Sequence, residues 1–347
     1  MKKIVIERPG GYRQLKIKEF PTPTLQNNQV LIEVSAAGIN FADVFIRMGL
    51  YKSAKEFVGW PVTPGFEFSG TVLKCGPDVS DLQEGASIFG VTRFGAYSSH
   101  ICVPRHQVFV IPDDSKFTSD QWAAFPVVFC TAYHGLFQNI VLRPGMNILV
   151  HSAAGGVGGS LIQLGKIANC RMTGVVGSSH KVNTVLDLGA DIVIDKSTED
   201  LWEKVREICP SGYDVVFDGN GPATLKQSFN HLAPVGKLVA YGFTSLLSTR
   251  GGFPNYFKLA YEYFKIPRWS PLNMMDKNKS LITFQLSYLF HREDLLEESM
   301  NTLLRWVEEG KIKAPPLQLY AYDKVADAHR ALESGTTVGK LILKFAD

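Results

Sequence analysis

The chain is poor in cysteine, carries little net charge and lacks an apolar run long enough to cross a membrane. Its five cysteines are Cys75, Cys102, Cys130, Cys170 and Cys209. No two of them form a C-x-x-C pair, which argues against a disulfide framework or a zinc ribbon. A net charge of +3 gives no basis for nucleic-acid binding. The start of the chain has no signal-peptide core, and Gln285 and Ser287 interrupt the apolar stretch 281–290. We therefore expect a cytoplasmic protein with reduced thiols.

The chain contains enough apolar sequence for two folded domains. It has 347 residues, of which 45% are hydrophobic and 20% charged, as in soluble globular proteins. The first third alternates short apolar runs with Gly and Pro turns, which predicts a β-rich, barrel-like domain. Its candidate strands are Val30–Val34, Glu67–Lys74, Ser87–Thr92 and Gln107–Ile111.

From Val127 onward, strands alternate with helices. The candidate strands are Asn147–Val150, Met172–Val176, Asp191–Ile194, Val215–Phe217 and Lys237–Tyr241. The candidate helices between them are Gly158–Ala168, His180–Leu188, Glu199–Ile208 and Ala223–Leu232. This alternation predicts an α/β fold with a doubly wound parallel sheet. We assign residues 127–292 to this domain and residues 1–126 with 293–347 to the β-rich domain. The final strand, 338–343, is expected to return to the β-rich domain.

The most informative stretch is the glycine turn between the first strand and the first helix of the sheet. Gly155 and Gly158 keep the second and third glycine spacing of the dinucleotide fingerprint, with Ala153 in the first position. Small residues there let the backbone approach a pyrophosphate at a helix N-terminus. The predicted contacts are Ala154, Gly155, Gly156, Val157 and Gly158. The alternative is an ordinary tight turn.

The end of the second strand favours NADPH over NADH. An NAD site places a carboxylate there for the ribose 2′-hydroxyl, whereas this sequence continues Gly177-Ser178-Ser179-His180-Lys181 with no acid before Asp187. Hydroxyl and ammonium groups suit a 2′-phosphate. We predict contacts from Gly177, Ser178, Ser179 and Lys181, with Lys196 as a further phosphate contact. Alternatively, the serines cap the next helix and Lys196 is only solvated.

Two later loops follow strand ends, where ligands bind in such sheets. They contribute Asn220, Gly242 and Phe243 as predicted contacts with the nicotinamide half of the cofactor. Tight turns alone are the alternative explanation.

Motifs spread along the chain point to one superfamily. They are Ala37–Asp43, Arg47–Tyr51, Pro64–Gly70, Gly95–Tyr97, Thr131–Tyr133, Ala153–Gly158 and Gly339–Lys340. With these motifs the chain resembles the medium-chain dehydrogenase/reductase superfamily, in its zinc-free quinone oxidoreductase branch. Residues 247–280 form a long insertion that is rich in aromatics and predicted to be irregular. This insertion is most similar to the vesicle amine transport protein homologues. The resemblance implies a GroES-like barrel beside a Rossmann domain, and it adds Lys340 to the cofactor-binding residues.

The resemblance also implies that the catalytic zinc of the alcohol dehydrogenases is missing. The positions that match its cysteine, histidine and cysteine ligands carry Asn40, Phe66 and Val127, none of which replaces a thiolate or imidazole. We therefore predict no metal site. Cys130 lies nearby without partners, which is typical of a small buried hydrophobe.

Reduction of an electrophilic acceptor remains feasible without a metal. A quinone or conjugated enone takes hydride directly, and the enzyme supplies positioning and a hydrogen-bond donor. In the family's cleft Asn40 and Tyr51 are the candidate donors, and Thr131 resembles the residue that orients the nicotinamide and contacts the cofactor, as Asn40 also does. Phe45 replaces a tyrosine of several quinone reductases, which leaves Tyr51 or water as proton donor.

The same residues also have structural interpretations. Asn40 can bond only loop backbone. Asp43 can tie the loop or pair with Arg47, and Glu67 can stabilise the domain junction.

A second hypothesis is an NADPH-binding, non-catalytic protein at a membrane or with a partner. It rests on segment 255–269, where aromatics alternate with Lys258, Lys265 and Arg268 as in an interfacial helix. The competing explanations for this segment are a lid over the cleft or a subunit contact. The predicted strand 280–289 resembles the one through which these reductases pair edge to edge, so we expect a homodimer.

Overall fold

The structure, a computed structural model, describes residues 1–247 and 252–345. Its strands are β1 (Lys2–Ile6), β2 (Leu15–Glu19), β3 (Gln29–Ile39), β4 (Glu67–Cys75), β5 (Ser87–Val91), β6 (His100–Pro104), β7 (Val108–Val110), β8 (Asn147–Val150), β9 (Arg171–Val176), β10 (Ile192–Asp195), β11 (Tyr213–Asp218), β12 (Leu232–Ala240), β13 (Ser280–Thr283), β14 (Leu317–Ala321) and β15 (Lys340–Lys344). Its α-helices are α1 (Phe41–Met48), α2 (Lys52–Phe57), α3 (Ser119–Ala123), α4 (Pro126–Tyr133), α5 (Gly156–Ile167), α6 (Val182–Asp187), α7 (Leu201–Ile208), α8 (Leu225–Asn230), α9 (Tyr256–Lys265), α10 (Pro271–Asp276), α11 (Glu293–Glu308) and α12 (Val325–Glu333).

The later half of the chain forms a six-stranded sheet with the order β10-β9-β8-β11-β12-β13. All its neighbouring strands are parallel, and this is the strand order of a doubly wound dinucleotide-binding domain. Its central strands are short apolar runs because helices cover both faces; Ile148, Leu149 and Val150 are fully buried. The predicted α/β fold is confirmed.

The first third of the chain contributes five strands, β3 to β7, to a mainly antiparallel seven-stranded sheet, which β14 and β15 complete. The C-terminal strand β15 pairs antiparallel with β3 and parallel with β14, which confirms its predicted return to this domain. Helix α11 packs against α4, where Met300 and Leu303 belong to the same core cluster as Phe129.

Two expectations about the insertion are wrong. Residues 247–280 contain helices α9 and α10 rather than only irregular chain, although 248–251 lie outside the described residues. Asn255 caps α9 by accepting a hydrogen bond from the Lys258 amide at 3.0 Å, and Pro271 occupies the first turn of α10. The predicted strand 280–289 ends at Thr283, because the chain then turns into the space between the domains, where residues 284–287 line a cleft.

Helix α9 carries its aromatic side chains on the outside. Phe257 is 92% exposed and Phe264 77%, and Tyr256, Tyr261 and Tyr263 are also exposed. The lining of the interdomain cleft includes no described residue from 252 to 282. In this structure the segment therefore does not contribute to the walls of the cleft.

Among the helices described for residues 1–247 and 252–345, none is long and apolar enough to cross a membrane.

Candidate active site

A cleft of about 1010 Å³ lies between the two domains. It brings together most of the residues predicted from the sequence, namely Asn40, Tyr51, Thr131, Ala154, Gly155, Gly156, Val157, Gly158, Gly177, Lys181, Lys196, Gly242, Phe243 and Lys340. Ser178, Ser179 and Asn220 are not among its lining residues. The GroES-like domain supplies one wall and the carboxyl ends of the parallel strands supply the other, which is where ligands bind in this fold.

The glycine turn closes tightly and leaves room beside the cleft. A Cβ on Gly158 would lie 2.3 Å from the carbonyl oxygen of Ser152, whereas one on Gly155 would meet only that oxygen, at 3.3 Å. Gly158 therefore allows β8 and α5 to approach, and Gly155 leaves space for a phosphate group at the start of α5. The backbone amide of Gly339 donates to the carbonyl of Ala154 at 2.8 Å, which joins the two domains at this turn. This cradle fits a dinucleotide.

A buried carboxylate organises one end of the cleft. Glu67 on β4 is fully buried. Its Oε1 lies 2.5 Å from Nζ of Lys340 and accepts from Nδ2 of Asn40 at 2.9 Å. Its Oε2 accepts from the backbone amide of Val127 at 2.8 Å. Three donors thus compensate the buried charge, and through them Glu67 joins β15, the start of α1 and the start of α4.

Asn40 belongs to this buried network. Its side-chain amide donates to Glu67 and its Oδ1 accepts from the Lys340 ammonium. The expectation that Asn40 bonds only loop backbone is therefore wrong. An amide nitrogen carries two hydrogens, so one donor of Asn40 is left for a ligand in the cleft.

Thr131 and Tyr51 face the same cleft from different elements. The Thr131 hydroxyl donates to the carbonyl of Val127 at 2.6 Å, one turn earlier in α4, so its oxygen remains an acceptor. The Tyr51 hydroxyl lies 3.3 Å from Oγ of Ser287. Burial raises the pKa of Tyr51, and hydrogen bonds from Ser287 and Gln285 partly oppose this rise. Tyr51 is accordingly a neutral hydrogen-bond donor at physiological pH.

Asp43 holds the loop that carries Asn40. Its carboxylate accepts from the backbone amides of Asn40 and Gly65, each at 2.8 Å, and from the Tyr97 hydroxyl at 3.1 Å. Burial raises the pKa of Asp43 to about 7. Of the two sequence alternatives, Asp43 ties the loop rather than pairing with Arg47.

Arg47 instead forms a fully buried ion pair on the other side of α1. Its Nη1 lies 2.7 Å from Oε1 of Glu333 and 3.2 Å from Nδ1 of His329. Burial and the Arg47 charge lower the pKa of His329 well below its usual value. Glu333 lines the cleft just before the loop 334–337.

At the opposite end of the cleft, several predicted phosphate donors already contact protein. Nζ of Lys181 donates to the carbonyl of Gly335 at 2.5 Å. The Ser179 hydroxyl lies 2.5 Å from Oδ2 of Asp195, and Ser178 makes no side-chain cap to the following turn. Lys196 is exposed and lines the cleft next to Gly177. Sequence reasoning missed Asp195 because this acid ends the third strand rather than the second.

Asn220 is positioned behind the glycine turn. Its Oδ1 accepts from the Ser152 hydroxyl at 2.9 Å, and its backbone amide donates to Oδ1 of Asp218 at 2.9 Å. A Cβ on Gly242 would lie 2.8 Å from the carbonyl of Gly219. The two loops therefore support each other, and Gly242 and Phe243 form part of the cleft wall.

The positions matching the zinc ligands form an apolar surface with one amide. Asn40, Phe66 and Val127 all line the cleft. Within the described ranges 1–247 and 252–345, no group of three or more metal-ligating side chains is present. Cys130 is buried with its Sγ 3.5 Å from Sδ of Met300, and burial raises its pKa to about 12. It packs as a small hydrophobe.

Two family models match the chain. An alcohol dehydrogenase GroES-like domain matches residues 26–113, and a zinc-binding dehydrogenase domain matches residues 188–343. The first covers strands of the antiparallel sheet. The second covers the later half of the parallel sheet and the return of the chain to the first domain.

One relative and two solved structures match this chain over 98% or more of its length. The synaptic vesicle membrane protein VAT-1 homolog of Danio rerio is 33% identical, over 98% of this chain and 69% of its own. A quinone oxidoreductase of Escherichia coli, solved in complex with NADPH, superposes with a TM-score of 0.83 at 28% identity, covering 99% of this chain and 100% of its own. The CurK enoyl reductase superposes with a TM-score of 0.85 at 25% identity, covering 99% and 98%.

The fold, the cleft and these similarities define a medium-chain dehydrogenase/reductase, an oxidoreductase with a nicotinamide-dinucleotide-binding fold. Within that superfamily the chain belongs to the family of the VAT-1 homologues. The resemblance predicted from the sequence is confirmed.

Proposed function

We propose that this oxidoreductase uses NADPH, without zinc, to transfer a hydride to a quinone or a conjugated enone. The observation that carries the proposal is the cleft, in which the glycine turn of one domain faces Asn40 and Tyr51 of the other. The similar enzymes, a quinone oxidoreductase and an enoyl reductase, support this acceptor class. They favour an enzyme over a non-catalytic cofactor-binding protein.

The residues of the chain fit both the cofactor and the acceptor. Residues 154–158 would hold the pyrophosphate, and Thr131 and Phe243 would contact the nicotinamide half. When bound, the reduced nicotinamide supplies the hydride. Asn40 and Tyr51 supply hydrogen-bond donors to an acceptor oxygen that gains negative charge, and the apolar side chains of Phe45 and Phe66 exclude water around it.

Lysines at the far end of the cleft support NADPH as the cofactor. Lys196 lines the cleft and is exposed, and Lys181 lies nearby. Both add positive charge where the second strand ends, and a phosphate dianion is stabilised by such charge. Asp195, by contrast, is engaged by the hydroxyls of Ser179 and Ser197.

The test is NADPH oxidation with a panel of 1,2-quinones, 1,4-quinones and conjugated alkenals. We expect turnover with at least one class, and none of it should depend on added zinc. Lys196→Ala should raise KM for NADPH about tenfold and leave KM for NADH unchanged, because a charged hydrogen bond contributes about 1.5–3 kcal/mol. Lys226→Ala, on the exposed face of α8, is the matched control. No turnover at saturating NADPH with any acceptor would contradict the proposal.

We further propose that the domains divide at 126/127 and 292/293, and that the protein acts in the cytoplasm as a homodimer. The dimer is supported by β13, which ends the parallel sheet and leaves its outer edge available for pairing. Sedimentation equilibrium should give twice the chain mass at micromolar concentration; a monomer mass would contradict the dimer.

A further inference from the structure

The loop after β13 meets the helix after Tyr51 across the cleft. Ser287, in the turn Leu286–Tyr288, is 3% exposed. Its Oγ accepts from the Tyr51 hydroxyl at 3.3 Å and donates to Oγ of the fully buried Ser53 at 2.9 Å. Three hydroxyl groups from two domains therefore form one continuous series of hydrogen bonds. Of the three residues, Tyr51 is the one whose aromatic ring forms part of the cleft wall.

Packing of the Tyr51 ring restricts the positions that its hydroxyl can occupy. The ring packs edge to face on Phe66, with centroids 5.8 Å apart and planes at 70°. Both Tyr51 and Ser287 line the cleft. A tyrosine held in this way keeps its hydroxyl within reach of both the cleft and Ser287.

We infer that Ser287 is a positioning residue that makes Tyr51 the hydrogen-bond donor to the acceptor oxygen. This inference rests on the proposed function. A serine hydroxyl can rotate to donate or to accept. When Tyr51 donates to a substrate oxygen, the chain reverses: the Ser287 hydroxyl donates to the oxygen of Tyr51 and accepts from Ser53 in turn. The bond from Ser287 favours the developing phenolate and strengthens the bond from Tyr51 to the substrate.

The contact between Ser287 and Tyr51 bears on the loss of a phenol at position 45. Phe45 stands where several quinone reductases carry a second tyrosine, so Tyr51 is the phenol left in that part of the cleft. Burial opposes release of its proton by raising its pKa, and hydrogen bonds from Ser287, Gln285 and Ser53 act in the opposite direction. Ser287 thus compensates for the desolvation that the apolar cleft imposes.

The same loop offers a matched control. The next residue, Tyr288, donates to Oε2 of Glu56 at 2.6 Å and packs on Phe57 at 5.5 Å. This contact also joins the loop to α2, but Tyr288 is not among the residues lining the cleft. Tyr288→Phe removes a hydrogen bond from the loop without touching Tyr51, so it separates loop docking from the effect on the phenol.

The experiment compares Ser287→Ala, Ser287→Thr, Tyr51→Phe, Tyr288→Phe and the double variant of Ser287→Ala with Tyr51→Phe. We expect Ser287→Ala to lower kcat about tenfold, the loss of one hydrogen bond, with KM and NADPH affinity within twofold. Ser287→Thr should retain most of kcat, and Tyr288→Phe should be near wild type. Ser287→Ala should have no further effect in the Tyr51→Phe background. Equal losses in both backgrounds, or a loss in Tyr288→Phe matching that of Ser287→Ala, would overturn the inference.

A second readout does not require turnover. With ¹³Cζ-labelled tyrosine, the Tyr51 resonance is assigned from its disappearance in Tyr51→Phe, and its ionisation is followed with pH. Ser287→Ala should move this ionisation to higher pH, whereas Tyr288→Phe should not. An unchanged Tyr51 titration in Ser287→Ala refutes the role of Ser287 even if the proposed acceptors prove wrong, and absent turnover with a shifted titration refutes only the proposed function.

Discussion

At the end of the cleft lined by Asn40, the side chains converge on one buried carboxylate. Glu67 receives Lys340, Asn40 and a backbone amide from three separate elements. At the end lined by Lys181 and Lys196, loops touch through single contacts such as Lys181 to the Gly335 carbonyl. The first end is held together by a charged group that is buried away from water. The second end is held together by hydrogen bonds that a ligand can replace.

The proposed function gives the two ends different tasks, and the difference in their contacts is consistent with it. Hydride transfer requires reacting atoms held in a narrow range of geometry, which a buried, fully satisfied network supplies. Phosphate binding requires donors that exchange partners when the cofactor arrives and leaves. Contacts to a backbone carbonyl at a partly exposed rim permit this exchange at low cost.

The largest effect is expected from breaking the buried pair at the Asn40 end. Lys340→Met should lower the free energy of unfolding by about 3–5 kcal/mol, because it removes the cation beside the buried Glu67 carboxylate and leaves only two neutral donors to it. Urea denaturation measures the change. The double variant with Glu67→Gln should recover much of the stability, since no buried charge remains. Equal stability of the single and double variants would show that the pair does not hold this end.

Substitutions at two glycines of the turn should distinguish an effect on stability from an effect on cofactor binding. Gly158→Ala should cost about 1–3 kcal/mol of stability, because its Cβ meets the Ser152 carbonyl. Gly155→Ala should cost about 1 kcal/mol or less and raise the NADPH Kd about tenfold or more by filling the phosphate cradle. Thermal unfolding and fluorescence titration distinguish the two. Normal NADPH affinity in Gly155→Ala would place the cofactor elsewhere.

Arg47, Glu333 and His329 form a buried cluster just before the loop 334–337. Through His329, this cluster makes the stability of the protein sensitive to acid. His329 has a folded pKa far below its unfolded value near 6.5, so the unfolded chain binds the extra proton first. Its contribution is complete above pH 6.5 and is lost as pH falls, by up to about 1.4 kcal/mol per pH unit. His329→Gln keeps an acceptor for Arg47 and should lose stability less steeply between pH 6.5 and 5.

The comparison with wild type isolates this effect, because Asp43, with a pKa raised to about 7, acts with the opposite sign in both proteins. Parallel pH profiles of unfolding for wild type and His329→Gln would contradict the prediction.

The smallest effect is expected from Lys181→Met, at the end of the cleft lined by Lys181 and Lys196. It removes one hydrogen bond to the Gly335 carbonyl and keeps the aliphatic stem, so stability should change by about 1 kcal/mol or less. Denaturation beside Lys340→Met gives the direct contrast. A loss as large as that of Lys340→Met would remove the distinction between the two ends.

Local sequence determined part of this site. The turn 154–158 was predictable because an apolar strand, small residues and a helix follow one another within a few residues. Asn40, Tyr51 and Thr131 were found through the family resemblance. The pairing of Glu67 with Lys340 was not predictable, because only the return of β15 to β3 brings these distant residues together.

Other features were missed although local signs existed. Asn255 and the pair Ser270-Pro271 are helix starts, but the dense aromatics of this segment suggested irregular chain. Ser287 was noted only as a polar interruption of an apolar stretch. Its partners Tyr51 and Ser53 lie in the other domain, so spacing carried no information about them.

The backbone bond from Gly339 to Ala154 limits how the enzyme can open. Both partners are main-chain atoms, so no change of side chain removes the link except a proline at 339, which lacks the amide hydrogen. The bond lies beside the glycine turn, and both of its residues line the cleft. Rigid separation of the domains would break it, at a cost of about 0.5–1.5 kcal/mol, so opening of the cleft and loss of this bond are expected to occur together.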